Sequence, residues 1–218
     1  MQCSFLLNQV RLTINDPDSH VWSDGDLINA LNEALFALVS YRPDASSVTQ
    51  TITLVAGTKQ TLPSGGMRFL SAIRNRGVNG ASDAGRAIKK GDMRAQDAIY
   101  PDWHEAPWSG YITQYFFDPL QPKVFYVYPP APVSPAWGID ISFVGEPAVI
   151  EDATDTLPVD SFFVPALQEW MLYSLWRGDD EQSPNYASAK GHLDTFFKLL
   201  QVKSAADGSA MPKAVSGQ

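Results

Sequence analysis

The spacing of apolar residues changes twice along this chain, and the two changes constrain its fold more than any single motif. In the first forty residues the spacing is helical: Leu6, Leu7, Val10 and Ile14, then Leu27, Leu31, Ala34, Leu35 and Leu38 with Ile28 beside them. The first set predicts a short helix that ends before Asp16-Pro17-Asp18, because the residue preceding a proline disfavours the helical region. The second predicts a longer helix with a defined start. Ser23 can cap it, Asp26 takes the capping-box position usually held by Glu, and Trp22 can staple onto Leu27, while Tyr41-Arg42-Pro43 stops the pattern.

From Ser47 the period becomes two. Val48, Gln50, Ile52 and Leu54 alternate with Thr49, Thr51 and Thr53, and Ala56-Gly57-Thr58 turns the chain toward Gln60-Thr61-Leu62, which predicts a β-hairpin. Residues 67–73 predict a further strand, 75–85 a turn-rich loop around Asn79-Gly80, 86–90 a short strand and 91–99 a short helix. An aromatic hairpin follows over 111–130. Tyr115, Phe116 and Phe117 precede the turn Asp118-Pro119-Leu120-Gln121-Pro122, and Phe125, Tyr126 and Tyr128 follow it. A ribbon with large side chains on both faces must be covered on both or exposed for a partner. Pro129, Pro130, Pro132 and Pro135 predict a stiff connection to a strand over 139–144.

After an acidic, loop-like stretch the helical spacing returns. Phe163, Leu167, Trp170, Met171 and Trp176, with Pro165 in the first turn, predict a largely buried helix. Ser183-Pro184 opens a last helix with its stripe at Tyr186, Ala189, Leu193, Phe196, Phe197 and Leu200. Helices at both ends and strands between them describe an α+β fold: a helical bundle from 1–46 and 160–202, an inserted antiparallel β-rich domain over 47–159, and a flexible C-terminal tail over 203–218.

Composition narrows the function. At 218 residues and 44% hydrophobic content the chain can bury a sizeable core. Its apolar runs fall short of the roughly 20 residues that cross a bilayer, and the N-terminus lacks the order of a signal peptide, so a soluble protein made in a cytoplasm is expected. Cys3 is the only cysteine, which excludes an intrachain disulfide. A net charge of −8 argues against a phosphate-binding surface, since the densest basic segments, 68–76 and 86–94, are modest.

No catalytic or metal constellation emerges, and no cofactor is expected. His20, His104 and His192 lie far apart. Asp16-Pro17-Asp18 begins like a calcium loop, yet Val21 stands at the glycine position and Leu27 at the bidentate acid, so a turn and helix cap explain the acids better. Ser64-Gly65-Gly66 and Ser109-Gly110 lack the nucleophile elbow, and 77–85 lacks the lysine and spacing of a phosphate loop. Glu169 with Asp179 or Asp180 could form an acid pair, but solvation of a helix face accounts for it. What remains are aromatic residues. Trp103, Trp108 and Tyr111 beside the hairpin could stack on sugar faces, or, with Tyr128 and Trp137, form the buried centre of a protein interface. Tyr128, Trp108 and Trp137, which border turns, are the candidates for exposure.

The order of segments resembles a family of tailed-phage head-to-tail adaptor proteins, similar to the tail tubular protein A of short-tailed phages. The resemblance rests on Trp22-Ser23-Asp24, Leu31-Asn32-Glu33, Arg42-Pro43-Asp44-Ala45, the run Leu54-Val55-Ala56-Gly57-Thr58-Lys59-Gln60-Thr61-Leu62-Pro63 and Ile73-Arg74-Asn75. It continues through Pro101-Asp102-Trp103-His104, Tyr115-Phe116-Phe117-Asp118-Pro119, residues 122–130 and the paired helices over 164–200, and ends near residue 202. It implies a non-enzymatic connector: a ring, normally of twelve subunits, that docks under the portal protein, receives a tail or nozzle protein and lets genomic DNA pass without specific binding. The location implied is the virion, after assembly in the host cytoplasm. In that setting Trp103, Trp108, Tyr128 and Trp137 are interface candidates, and Met211, Pro212 and Lys213 belong to a tail that orders on reaching a neighbour or the portal. The alternative is a tail-associated aromatic β-module that holds a glycan, with a hydrolase third.

Overall fold

The computed structural model describes residues 1–81, 85–178 and 183–210, with side chains described to residue 201. Its chain divides into two compact units, Met1–Ala45 with Pro147–Gln218, and Ser46–Glu146. The α+β organisation is as the spacing predicts, with helices from both ends and strands between them.

The first unit holds α1 (Cys3–Thr13), α2 (Asp24–Tyr41), α4 (Val164–Trp176) and α5 (Pro184–Ala210), with a 3-10 turn at Ser161–Phe163 leading into α4, while α3 (Met93–Ile99) belongs to the second unit. The α2 start follows the sequence logic: the Asp26 N–H donates to the Ser23 hydroxyl, and the Ser23 N–H donates back to the Asp26 carboxylate at 2.9 Å. Leu6, Leu27, Leu31, Leu38, Leu167 and Met171 are all fully buried in one core, against which Trp170 and Trp176 also pack. Pro165 sits in the first turn of α4, where its missing N–H costs nothing.

The stretch 147–160 has no helix or strand, yet it is held firmly. The Asn32 side chain donates to the Ile150 carbonyl at 2.9 Å and accepts from the Ile150 N–H at 2.8 Å. The chain start pairs with it too, through Cys3 N–H to Asp155 and Ser4 N–H to Ala153. Ile150 and Leu157 thereby enter the helical core.

The second unit holds two sheets around one core. A three-stranded antiparallel sheet has the order β1 (Ser47–Thr53), β7 (Trp137–Gly145), β3 (Gly66–Val78). A four-stranded sheet has the order β2 (Gly57–Thr61), β6 (Val124–Ala131), β5 (Gln114–Phe116), β4 (Lys89–Lys90). Phe69 of β3 stacks on Phe125 of β6, centroids 4.3 Å apart, and Ile139, Ile141 and Val127 fill the space around them.

Three expectations are corrected here. The segments over 47–62 do not form a hairpin: β1 pairs with β7 and β2 with β6, in different sheets. A period of two records only which face is buried, and it is the same whichever strand lies alongside. The crossing is stabilised by a side chain in place of a ladder, since the buried Gln60 amide accepts from the Val55 N–H and donates to the carbonyls of Val55 and Gly57. Secondly, β3 runs on to Val78 where a loop from residue 75 was expected, with register shifts that absorb Gly77. Thirdly, Pro129 and Pro130 lie inside β6, not in a connection after it. They fall where the β2 register jumps between Gly57 and Lys59 and beyond the last residue of β6 that pairs with β5, so no ladder bond needs their missing N–H.

Candidate interaction site

The aromatic hairpin is β5 and β6, paired antiparallel with Gln114 opposite Tyr128 and Phe116 opposite Tyr126. Both of its faces are covered. Tyr115, Phe125 and Val127 point into the core between the sheets, while Phe116 on the other face is buried against Trp103, 5.1 Å between centroids. Trp103 is itself fully buried, on a 3-10 turn, with its indole N–H donating to Asp97 of α3 at 2.8 Å. The aromatic residues of 103–128 therefore divide by alternation between a sheet core and a covering layer, which accounts for most of their number.

Phe116 also explains one glycine. A Cβ on Gly91 would stand 2.2 Å from the Phe116 ring, so only glycine lets the chain entering α3 pass that close.

Of the residues singled out on sequence, the fold brings two pairs together. Trp103 lies edge-on to Tyr128 at 6.4 Å, and Trp108 lies edge-on to Trp137 at 5.2 Å. Trp108, Tyr128 and Trp137 are each half-buried, so each leaves part of its ring on the surface of the β unit. Met211, Pro212 and Lys213 lie outside the described residues, as do Asp179 and Asp180.

Beneath the Trp108–Trp137 pair is a residue that sequence reasoning missed. Asn75, 3% exposed, makes four side-chain hydrogen bonds: its oxygen accepts from the Ile112 N–H (2.8 Å) and the Trp137 indole N–H (2.9 Å), and its nitrogen donates to the carbonyls of Ile112 (2.8 Å) and Arg86 (2.9 Å). Every donor and acceptor of the amide is used. No local pattern could reveal it, since its partners are 11, 37 and 62 residues away. Around it Asn75, Gly77, Arg86, Tyr111 and Trp137 line a recess of about 240 Å³, with the Arg86 guanidinium 4.4 Å from the Tyr111 ring centroid.

Several charged groups elsewhere hold the fold together. Asp140, on β7, accepts from the Thr51 hydroxyl at 2.6 Å and from Arg74 at 2.7 Å, with Arg76 at 3.6 Å. Burial pushes its carboxyl up, but the hydrogen bonds from Thr51 and Arg74 and the two guanidinium charges outweigh that and hold it below the usual carboxylate range. Asp16 likewise accepts backbone N–H groups of His20, Val21 and Trp22, so the acids that begin like a calcium loop are committed to a turn. Cys3 is buried, and that burial, with the Asp155 charge adding and the N-terminal ammonium opposing, pushes its thiol up. Glu169 meets His192 of α5 at 2.6 Å. Among the described residues no group of three His, Cys, Asp or Glu side chains could hold a metal, and no helix is long and apolar enough to cross a membrane.

The arrangement is a rigid β unit with a half-buried aromatic patch, pinned from below by one amide. Such a surface can bind by shape. Comparison with curated proteins finds no match. The sequence model of the SU10 adaptor protein family matches residues 1–216, so the match includes most of the tail that lay outside the resemblance read from the motifs.

Proposed function

Because the chain belongs to the SU10 adaptor protein family, we propose that it is a phage structural component that forms a ring between the portal and the tail, around the channel through which DNA leaves the head. The observation that carries this reading is the family match along the whole chain. An adaptor is a structural protein of the virion, and association with portal and tail components follows from that class.

The physical character of the chain supports the finer reading. Copies in a ring meet through two different surfaces, and this chain folds as two compact units of different construction, each able to offer one. The half-buried edges of Trp108, Tyr128 and Trp137 are the proposed contact residues of the β unit, with Trp103 supporting Tyr128 from within. Met211, Pro212 and Lys213 are the proposed contact residues of the C-terminal segment, and twelve copies is the proposed stoichiometry. A net charge of −8 suits a channel along which a polyanion slides without being held.

The glycan-binding alternative has weaker support, because Trp103 has no exposed face and Trp108 and Trp137 meet at 67° instead of presenting one flat stacking surface. Mixing the protein with purified portal and imaging the complex by negative-stain electron microscopy tests the proposal. A ring of density stacked coaxially on the portal is the expected result; no association at micromolar concentrations of both proteins would overturn it. Truncation after Val202 separates the role of the C-terminal segment, since unchanged ring formation would remove that segment from the interface and leave the adaptor reading intact.

A further inference from the structure

An exposed strand edge offers unpaired N–H and C=O groups to any other chain, and proteins ordinarily guard such edges with charge, proline, shortness or a covering segment. Among the described residues the edges of this β unit are guarded, with one exception. Along β3, the Phe69 N–H donates to the Pro122 carbonyl, the Asn75 N–H to Arg86, and the Ile88 N–H to Ile73. β4 is two lysines long, and β2 has five residues with an exposed Lys59 at its centre.

Among the described residues β1 has none of these protections. It runs for seven residues, Ser47–Thr53, without a charge or a proline, and all but Ile52 are exposed. Its backbone pairs with β7 on one side, and among the described residues nothing bonds the other. Beside it opens a recess of about 410 Å³, lined by Gln50, Ile52 and Thr53 together with Gln60, Leu62 and Pro63. Ile52 and Leu62 pack on the core from the edge of the unit and remain only partly buried. The recess carries no charged side chain.

The sequence of β1 identifies what fits. Ser-Val-Thr-Gln-Thr-Ile-Thr reads nearly the same in both directions about Gln50. Laid antiparallel against a second copy of itself, it sets Val48 opposite Ile52, Thr49 opposite Thr51, Ser47 opposite Thr53 and Gln50 opposite Gln50. Each is a favourable cross-strand pair: β-branched with β-branched, hydroxyl with hydroxyl, amide with amide.

We propose that β1 is a homodimer interface, in which two copies of this chain pair their β1 strands antiparallel about a two-fold axis at Gln50 and merge two three-stranded sheets into one of six. The contact is isologous, whereas a ring is built from heterologous contacts, so this is a state of the free protein and does not depend on the adaptor reading.

Sedimentation velocity of the full chain from micromolar to submillimolar concentration is expected to show a monomer–dimer equilibrium. Gln50→Lys and Gln50→Glu each place like charges face to face and weaken the dimer by about tenfold or more, and mixing the two variants restores it. Gln50 is exposed, so circular dichroism of both variants should match the wild type. Cysteine mapping checks the register independently: Gln50→Cys links to itself on mild oxidation, and Val48→Cys links to Ile52→Cys but not to itself. Cys3 is buried and stays out of this readout. A wild type that is monomeric throughout, a Gln50→Lys variant that still dimerises, or a Val48→Cys variant that links to itself overturns the proposal. So does a monomeric wild type that loses portal binding on Gln50→Lys, which would assign the edge to another protein.

Discussion

Replacing Asn75 with alanine removes four hydrogen bonds at once, and the cost follows from what each partner has left. The Arg86 carbonyl keeps a bond from the Asn75 backbone N–H at 2.9 Å, so its loss is small. The N–H and C=O of Ile112, a residue with no exposure, lose the partners they have. Each buried orphan costs about 1–3 kcal/mol. The Trp137 indole N–H is half-buried and can regain water in part, which adds about 1 kcal/mol. The sum is about 3–7 kcal/mol, a large share of the roughly 5–15 kcal/mol that stabilises a domain. In urea, with a slope of about 2 kcal/mol per molar, the unfolding midpoint of the β unit should fall by about 2 M. Amide hydrogen exchange by nuclear magnetic resonance localises the effect: protection should be lost at Ile112 and along β3 and β7, and kept in α2. Asn75→Asp is the sharper control. It retains an acceptor for the Ile112 N–H and the Trp137 indole but turns a carboxylate oxygen toward two carbonyls, and should cost at least as much as alanine. An alanine variant within about 1 kcal/mol of wild type would refute the accounting, and a stable aspartate variant would refute its donor half.

Three further outcomes follow from the same geometry. Asp16 has its carboxyl lowered chiefly by the Trp22 N–H, against burial, with the N–H groups of His20 and Val21 and the Arg11 charge adding, so its contribution is complete above the ordinary aspartate range and is lost as pH falls through the lowered value. Thermal unfolding of the helical unit against pH should therefore show an acid limb that Asp16→Asn flattens. Gly91→Ala forces a methyl into the Phe116 ring, and a loss of about 1–3 kcal/mol in equilibrium unfolding is expected. Asp140→Ala removes the acceptor of Thr51 and Arg74 from the middle of β7 and should cost about 2–4 kcal/mol, reduced by the partial exposure of Arg74; a change within error would show that water replaces the carboxylate.

The helices were legible because their information is local. The Ser23–Asp26 box, the stripe Leu27, Leu31, Leu38 and the proline opening α4 all act within a few residues, and the helical core follows once those faces meet. The β5–β6 hairpin was legible for the same reason, its turn lying between the two strands it joins. Partner choice among the remaining strands was not. β1 and β2 adjoin in sequence and alternate in phase, yet they enter different sheets because β7 and β6, more than sixty residues onward, cover their edges. Asn75 read as the start of a polar loop, and only the approach of Ile112 and Trp137 makes it a buried pin. The same holds for Trp103, an interface candidate by type that tertiary packing places beneath Phe116. Side-chain spacing along this chain determined which faces are apolar and hence the α+β layout. Which faces meet, and so which aromatic edges remain at the surface, was decided by long-range pairing, because a strand's hydrogen-bonding edge carries no mark of its partner.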